Sequence, residues 1–484
     1  MPTMVERPKW ILYKHTNDRN IIEAVAVDIK NRCLANVGKN NLIKMQSRMH
    51  ELNLYTERHP NPPNDSMNHR VNTLEYYMFG YRDNGRFLFS PLGNLYLDNI
   101  NDPEKCKKIF ASMLFGVQFP QPTNHTPDIF QLYPFRLLLK LMRDPKLGCK
   151  LYSAEYVYLV AFVEKMTDKA YDQLVNNILE FRNKLDVEKK QLLLHDEHTY
   201  VNCTYEWQYY TQKLFASIGL LDVVGGSELV KLAHPKKPES KSPPTYRTLK
   251  TGYATIKGDV CDFIDKLLEN HPIDEEVIKL DDPEAMRYDL IKKIFSFYPD
   301  EIVEELDLED DTISELLKFP EAIEKYSRNP EEGDCYEFEK ALETGFNLFV
   351  DVEAKWMGGA GNPDVECKYL INNTKFDLEA KSTSKKLTQM NPKRAKLHRS
   401  IIGGIYTIVI TPQYSPGVLK DIDGEDIVIL LVNTLCEYLV NNMQHGVRDI
   451  PYSDFESIIR GHLGKDVSKA ISEMTMQKFA APSN

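Results

Sequence analysis

The amino-acid sequence predicts a multi-domain protein that mixes helix and sheet, an α+β arrangement with a mainly helical N-terminal half and a C-terminal α/β core. A chain of 484 residues is long enough for two to four domains with packed cores. Apolar residues recur at helical spacing across 105–115 and 205–218 in the N-terminal half. In the C-terminal third, two alternating strand-like segments at 365–381 precede apolar runs at 406–410 and 427–432, which suit central strands.

Composition and charge narrow the class of protein. The net charge is −11, but residues 271–340 alone contribute −15, so the rest of the chain carries about +4. A mildly basic remainder is compatible with DNA binding, which depends on local patches of charge. The eight cysteines form no CxxC pair, which disfavours a zinc site and a disulfide framework. No apolar run approaches 20 residues and no hydrophobic signal core opens the chain, so we expect a cytoplasmic protein without a membrane partner.

A β-hairpin is predicted at 365–381, and it contains the candidate catalytic residues. Pro363-Asp364 leads into the first strand, and Asn372-Asn373 tolerates the backbone of a tight turn between the strands. In the second strand Asp377, Glu379 and Lys381 alternate with apolar residues. Strand periodicity therefore places two acids and one amine on the same face.

Two neighbouring carboxylates repel each other unless a cation lies between them, and oxygen ligands favour Mg²⁺ or another hard divalent ion. Such an ion activates water and neutralises charge on a phosphate, while Lys381 adds a positive group beside the attacking water. The pattern indicates phosphodiester hydrolysis.

Pro363-Asp364 followed by Glu379-Ala380-Lys381 resembles the PD-(D/E)xK nucleases. Upstream, Phe338 and Phe346 belong to a predicted helix that carries Glu339. Together these motifs resemble the AlwI family of type IIS restriction endonucleases and related nicking endonucleases.

The resemblance implies that Glu339, Asp364 and Glu379 are metal-binding acids and that Lys381 is catalytic. It also implies hydrolysis to a 5′-phosphate and a 3′-hydroxyl a few bases from a short asymmetric site. Glu343, one turn after Glu339, is the competing helical acid. Two further acids, Asp377 and Glu366, are candidates for auxiliary roles, although a solvated position is the simpler interpretation for both.

The N-terminal half carries signals typical of winged-helix modules. Asp83-Asn84-Gly85 predicts a turn before a strand at 87–89, and Ser90-Pro91 predicts the start of a helix that runs through Leu97. A helix at 205–218 followed by two strand-like segments around Gly225-Gly226 predicts a second hairpin beside a helix. A hairpin and helix without a DNA role explains the first signal equally well.

These signals divide the chain into three predicted regions. Residues 1–235 form a DNA-recognition region with winged-helix-like modules, 236–330 form a linker and acidic helical spacer, and 331–484 form the PD-(D/E)xK nuclease domain. We expect DNA contacts outside the first region as well, because a predicted helix after the hairpin is basic. Its cationic residues, which we expect to grip the DNA backbone, are Lys393, Arg394, Lys396 and Arg399, with His398 beside them.

The sequence as a whole predicts a Mg²⁺-dependent, sequence-specific endonuclease acting on double-stranded DNA. One active site hydrolyses one strand at a time, so double-strand cleavage would require a second copy or a partner subunit. Two alternatives remain open at this stage: a DNA-binding regulator whose acidic hairpin is structural, and a nuclease of the same fold acting on branched or damaged DNA.

Overall fold

The structure is a computed structural model of the full chain. It describes residues 7–31, 38–55, 63–83, 86–122, 126–234, 245–280, 287–306, 319, 322–328, 334–359, 361–445, 447 and 449–479. The chain divides into two compact units. Unit 1 comprises residues 1–280 with 304–306, and unit 2 comprises 281–303 with 307–484.

Unit 1 is mainly helical and carries three small sheets. Strands β1 and β2 form one antiparallel pair, β5 and β6 form another, and a three-stranded sheet has the order β3-β7-β4. Its elements are α1 (Arg19–Asn31), α2 (Lys39–Glu51), α3 (Pro63–Tyr76), β1 (Gly80–Asp83), β2 (Arg86–Phe89), α4 (Pro91–Asp98), α5 (Pro103–Gly116), α6 (Pro134–Arg143), β3 (Leu151–Tyr152), α7 (Ser153–Tyr158), α8 (Asp168–Asn183), α9 (Asp186–His195), α10 (Glu197–Glu206), a π-helical turn (Trp207–Thr211), α11 (Gln212–Ile218), β4 (Leu221–Val224), β5 (Glu228–Ala233), β6 (Tyr246–Lys250), β7 (Tyr253–Ile256) and α12 (Cys261–Asn270).

The first predicted hairpin and its helix are present. Strands β1 and β2 pair antiparallel, from Gly80 opposite Phe89 to Asp83 opposite Arg86. The Ser90 hydroxyl accepts a hydrogen bond from the Gly93 N–H at 2.9 Å, so Ser90 is the N-cap of α4. The turn residues 84 and 85 lie outside the described residues.

The predicted Gly225-Gly226 hairpin is wrong. Strand β4 pairs with β7, and β5 pairs with β6, so the segments on either side of the two glycines belong to different sheets. Gly226 has a φ of +65°, and a Cβ there would meet the Gly252 backbone nitrogen at 2.5 Å. The two glycines therefore let the chain pass close to another strand connection while it changes sheets.

One predicted helix differs from the structure. The helix expected over 205–218 is interrupted by the π-helical turn at Trp207–Thr211. The regional boundaries expected at 235 and 330 also differ from the division by contacts, which falls at 280. Strands β6 and β7 lie beyond 235 and pair with strands that precede it, so they belong to unit 1.

Unit 2 contains a five-stranded sheet of order β12-β11-β10-β9-β8. Strands β10, β11 and β12 run parallel, whereas β8, β9 and β10 are joined antiparallel. Its elements are α13 (Arg287–Phe295), α14 (Asp300–Glu305, whose last residues belong to unit 1), α15 (Asp334–Phe346), β8 (Val352–Trp356), β9 (Val365–Tyr369), β10 (Thr374–Ala380), α16 (Pro392–Ile402), β11 (Thr407–Thr411), α17 (Gly417–Ile422), β12 (Ile427–Leu431), α18 (Val432–Gln444), α19 (Ser453–Gly461) and α20 (Ser468–Phe479).

Both faces of this sheet are covered, as expected for strands of a parallel α/β core. Side chains of β11 and β12 alternate between two apolar clusters, whereas β10 contributes only to the larger cluster and turns Asp377 and Glu379 to its other face. The larger cluster joins the sheet to α15, α18 and α20 through residues that include Phe338, Leu342, Phe376, Leu378, Ile408, Leu430, Leu435 and Ile471. The smaller cluster joins the opposite face to α16 and α17 through Ala395, Val409, Val418, Ile422, Ile427 and Ile429.

Within the described ranges, no helix combines the length and the apolar character needed to cross a bilayer.

Candidate active site

The β9–β10 hairpin brings Asp364 to Glu379, as the sequence predicted. Asn373 takes a φ of +56° in the turn, and the antiparallel pairing continues to Val365 opposite Leu378. Beyond that pair, the Ala380 N–H donates to Asp364 Oδ2 at 2.7 Å instead of to a strand carbonyl. The carboxylate of Asp364 is thereby fixed beside the end of β10, next to Glu379.

Glu379 is buried, with about 1% of its surface exposed. Its Oε2 accepts from the Lys381 ammonium and its Oε1 contacts Nδ1 of His398 on α16. Burial raises the pKa of Glu379, but the charges and hydrogen bonds of Lys381 and His398 outweigh it, so the pKa lies below its usual value. Glu379 is therefore held ionised.

The surroundings of Asp364 shift its pKa in the opposite direction, upward. Burial, followed by the negative charge of Glu379, raises the pKa of Asp364 to about 7, and Glu339 adds to the increase although Lys381 opposes it. Apart from the bond to Oδ2, the Asp364 carboxylate accepts no hydrogen bond within the described part of the chain. The site therefore has an excess of negative charge that a cation would relieve.

Helix α15 presents both of its candidate glutamates to one tryptophan of β8. The Trp356 indole N–H donates to Glu339 Oε2 at 2.8 Å, and the Trp356 backbone N–H donates to Glu343 Oε1 at 3.0 Å. Only Glu339 is among the charges that raise the pKa of Asp364. Of the two glutamates, Glu339 is therefore the one whose charge acts on Asp364.

The three predicted metal-binding acids are not gathered into a ready coordination shell. Among the described residues, no group of three or more His, Cys, Asp or Glu side chains is close enough to hold a metal ion. Asp364 and Glu379 nevertheless fit a divalent ion, because they offer hard oxygen donors beside each other and Asp364 lacks a compensating charge of its own. Glu339, bound to Trp356, adds negative charge at the side of this pair.

Of the two candidate auxiliary acids, Asp377 differs from the solvated position that was expected. Asp377 is fully buried, not solvated: its Oδ1 accepts from the Thr407 hydroxyl at 2.9 Å, while its Oδ2 is buried with no hydrogen-bond partner. Burial, with a contribution from the charge of Glu379, raises the pKa of Asp377 to about 7. Glu366 pairs with Lys375 across the hairpin at 2.6 Å and makes no recorded contact with Asp364 or Glu379.

The predicted basic helix is present as α16, but its cations do not all face outward. Lys393, Arg394 and Lys396 are exposed. Arg399 was expected to contact DNA, and this is wrong: only about 6% of it is exposed, and its guanidinium donates to the Asp426 carbonyl at 2.6 Å and to the Asp426 carboxylate at 3.3 Å. A partner 27 residues further along the chain turns Arg399 inward.

His398 is the site residue that the sequence analysis did not assign. It is about 2% exposed and lies on the buried side of α16 against Glu379. Ala395, His398 and Arg399 share that side at the spacing i, i+3, i+4. The same spacing in the sequence could have indicated an inward-facing histidine.

Comparisons with known proteins place the chain in a family. Residues 5–271 match the family model described as type II restriction endonuclease HgaI, N-terminal domain. Over 476 residues the chain is 42% identical to the type II restriction enzyme HgaI of Avibacterium volantium, and the match covers 97% of each chain.

Two solved structures show more distant likeness. A crystal structure of the BpuJ1 endonuclease binding domain with pyrene- and phenanthrene-modified DNA is 14% identical and has a TM-score of 0.39, covering 60% of this chain and 94% of that one. The restriction endonuclease FokI is 10% identical with a TM-score of 0.28, covering 95% of this chain and 100% of that one. TM-scores this low do not establish a shared fold. The extent and identity of the match to HgaI do establish the family, and the chain belongs to the HgaI family of type II restriction endonucleases.

Proposed function

We propose that this protein is a Mg²⁺-dependent, type IIS DNA endonuclease with the PD-(D/E)xK arrangement of catalytic residues. The observation that carries the proposal is the junction of Asp364 with Glu379 and Lys381 at the end of the hairpin. Family membership supports the class of reaction, and the resemblance of the motif to the AlwI family supports a cut displaced from the recognised bases.

Asp364 and Glu379 would hold the divalent ion, whose chemistry when bound is to lower the pKa of water and neutralise charge on the scissile phosphate. Lys381, whose side chain is about 26% exposed, is near enough to the solvent to orient the attacking water. Its ammonium contacts Glu379, which directs the lysine toward the site. Glu339 would contribute negative charge at the edge of the metal site.

His398 acts as a positioning residue in this account. Its contact with Oε1 limits the rotation of the Glu379 carboxylate, and Lys381 limits the position of Oε2. A carboxylate held at both oxygens requires less rearrangement when the ion and DNA bind.

DNA is the proposed substrate, with unit 1 as the reader and unit 2 as the cutter. Unit 1 contains all of the residues that match the HgaI N-terminal family model, and unit 2 contains the hairpin acids. The exposed cations of α16, Lys393, Arg394 and Lys396, would contact the DNA backbone. Because the described part of unit 2 has one such hairpin, we propose that double-strand cleavage needs a second copy of the chain.

The test is cleavage of a supercoiled plasmid library by the purified full-length protein, with Mg²⁺ and with a chelator. We expect Mg²⁺-dependent cuts at fixed positions outside one recurring asymmetric motif, with 5′-phosphate ends found by sequencing. Cleavage that requires branched or damaged DNA, or equal cleavage in the chelator, would contradict the proposal.

A further inference from the structure

A group of tyrosines and arginines in unit 1 has no role in the active site. It consists of Tyr55, Arg70, Tyr205, Tyr209, Tyr210 and Arg247, here called the Tyr/Arg cluster. These residues come from four separate parts of the chain, namely the segment that follows α2, helix α3, the α10 and π-helical segment, and β6. They are half-buried, so each is within reach of both the protein interior and the surface.

Arg70 lies in a largely desolvated position against Tyr55. Its guanidinium lies 5.1 Å from the Tyr55 ring centroid and donates to the Ser66 carbonyl at 3.2 Å, and its Nε is buried without a hydrogen-bond partner. Burial lowers the pKa of Arg70. Within the described ranges no carboxylate pairs with Arg70. A desolvated guanidinium without an anion is unfavourable unless a ligand supplies one.

Arg247 has a similar environment beside Tyr205, whose hydroxyl contacts that of Tyr210. It lies 4.3 Å from the Tyr205 ring centroid and 5.9 Å from that of Tyr209, and none of the described acids pairs with it. The positive charges of Arg247 and Arg70 both lower the pKa of Tyr210, although burial outweighs them, so both guanidiniums lie near this tyrosine. Among the described residues, neither guanidinium has a carboxylate partner.

Four other arginines of unit 1 do have carboxylate partners. Arg82, Arg143, Arg182 and Arg19 are paired with Glu75, Asp265, Glu155 and Glu23, at 2.5 to 2.6 Å. In a chain of net charge −11 acids are abundant, so two arginines of one cluster without a carboxylate partner among the described residues are an exception to these four pairs. Such an exception is what an anionic ligand would select.

The π-helical turn explains why three tyrosines belong to this surface. In a regular helix, consecutive residues point in different directions, but here Gln208, Tyr209 and Tyr210 are all half-buried between the buried Trp207 and Thr211. The Tyr205 and Tyr210 hydroxyls lie 3.1 Å apart. π-Helical turns occur frequently at functional sites, and tyrosine hydroxyls together with arginines are common donors to DNA phosphates.

We propose that the Tyr/Arg cluster binds the sugar–phosphate backbone of duplex DNA, with Arg70 and Arg247 each neutralising one phosphate. The inference rests on the proposed function and adds to it a specific surface of unit 1. Because phosphate contacts do not depend on the bases, this surface supplies affinity and orientation for every duplex, and sequence is read by other residues.

The experiment measures binding of full-length Arg70→Gln and Arg247→Gln to a fluorescein-labelled random-sequence duplex by anisotropy, in a chelator that prevents cleavage, over a range of salt. We expect each variant to bind roughly 10-fold more weakly, with a slope of log affinity against log salt smaller by about one. The matched control is Arg7→Gln, because Arg7 also packs over an aromatic ring, Phe162 at 4.1 Å, outside the cluster. The control should bind within twofold of the wild type.

Affinity within twofold of the wild type for both cluster variants, or an unchanged salt slope, would overturn the proposal. Thermal unfolding of each variant checks folding, and if Arg70→Gln unfolds, the more accessible Arg247→Gln alone decides the result. Cleavage is measured in parallel, so the two proposals fail separately. A wild type that binds but never cuts contradicts the nuclease proposal alone, whereas a cutting wild type with unaffected cluster variants contradicts the phosphate-binding surface alone.

Discussion

At the scale of single residues, the site depends on two carboxylates with opposite electrostatic surroundings. Glu379 is compensated by Lys381 and His398, whereas Asp364, beside it, has a pKa raised to about 7. A cation between them would lower the pKa of Asp364 and keep both groups ionised. The arrangement therefore favours uptake of a divalent ion at neutral pH and weaker uptake as the pH falls below 7.

Substitution can distinguish the roles of the two glutamates of α15, Glu339 and Glu343. We expect Glu339→Gln to reduce the cleavage rate about 10- to 100-fold, because it removes negative charge that acts on the metal site. Glu343→Gln should change the rate less than threefold, since Glu343 binds the Trp356 backbone and does not act on Asp364. Single-turnover cleavage over a range of Mg²⁺ measures both, and the reverse order would assign the role to Glu343.

His398 is expected to affect the metal requirement more than DNA affinity. His398→Ala leaves the Glu379 Oε1 without its contact, so the Mg²⁺ concentration for half-maximal cleavage should rise about 10-fold or more. His398→Asn offers a side-chain donor in a similar place and should restore part of the loss. If Ala and Asn behave alike while both fold normally, His398 has only a packing role.

The residues that sequence reasoning identified are those with a local signature. Asp364, Glu379 and Lys381 lie in one hairpin whose alternation and Asn-Asn turn are visible in the sequence. The orientation of Arg399 and the contact of His398 depend on Asp426 and Glu379, which are distant in the chain. Asp377 was misjudged because α16 covers the face of β10 that strand alternation alone would leave to solvent.

At the scale of elements, the turn of the β9–β10 hairpin sets the alignment of the two acids. Pairing of Val365 with Leu378 fixes Asp364 beside Ala380, so a shift of register by one residue would turn Glu379 to the other face. The strands, the turn and helices α15 and α16 could all be predicted from the spacing of apolar residues and from the turn residues in the sequence. The partners of β4 and β5 were not, because β7 and β6 lie more than a dozen residues beyond the Gly-Gly pair.

The turn offers an element-scale prediction. Asn373 has a φ of +56°, which asparagine and glycine tolerate better than alanine. We expect Asn373→Ala to destabilise the hairpin by about 1 kcal/mol and to speed hydrogen exchange of β9 and β10 amides. Asn373→Gly should behave like the wild type within about 0.5 kcal/mol, and equal exchange in the Ala and Gly variants would show that the turn does not limit hairpin stability.

At the scale of the whole molecule, the chain joins two compact units whose boundary differs from the one suggested by composition. The Pro-, Ser- and Lys-rich stretch at 234–250 predicted a loop or linker, yet β6 lies within it and β7 follows it, and both strands complete sheets of unit 1. Composition indicates a loop but does not show whether the next strand returns to the same domain.

Two fragments of the chain, residues 1–280 and residues 1–235, test the unit boundary at 280. Residues 1–280 retain β6 and β7 and should fold cooperatively, bind duplex DNA and not cleave it. The missing Lys108–Glu305 ion pair costs at most about 1 kcal/mol, since both side chains are partly solvated. Residues 1–235 leave β4 and β5 without partners and should be unfolded or aggregated. Circular dichroism with thermal unfolding decides, and equal stability of the two fragments would contradict the boundary at 280.

The most direct test of the central claim compares the full-length wild type with Glu379→Gln and with the control Glu366→Gln on a plasmid that the wild type cuts. Glu366 is an acid of the same hairpin that pairs with Lys375. We predict that Glu379→Gln loses at least about 100-fold in Mg²⁺-dependent cleavage while DNA affinity in a chelator is unchanged, and that Glu366→Gln cuts within threefold of the wild type. Near-normal cleavage by a folded Glu379→Gln would contradict the assignment of the β9–β10 hairpin as the active site.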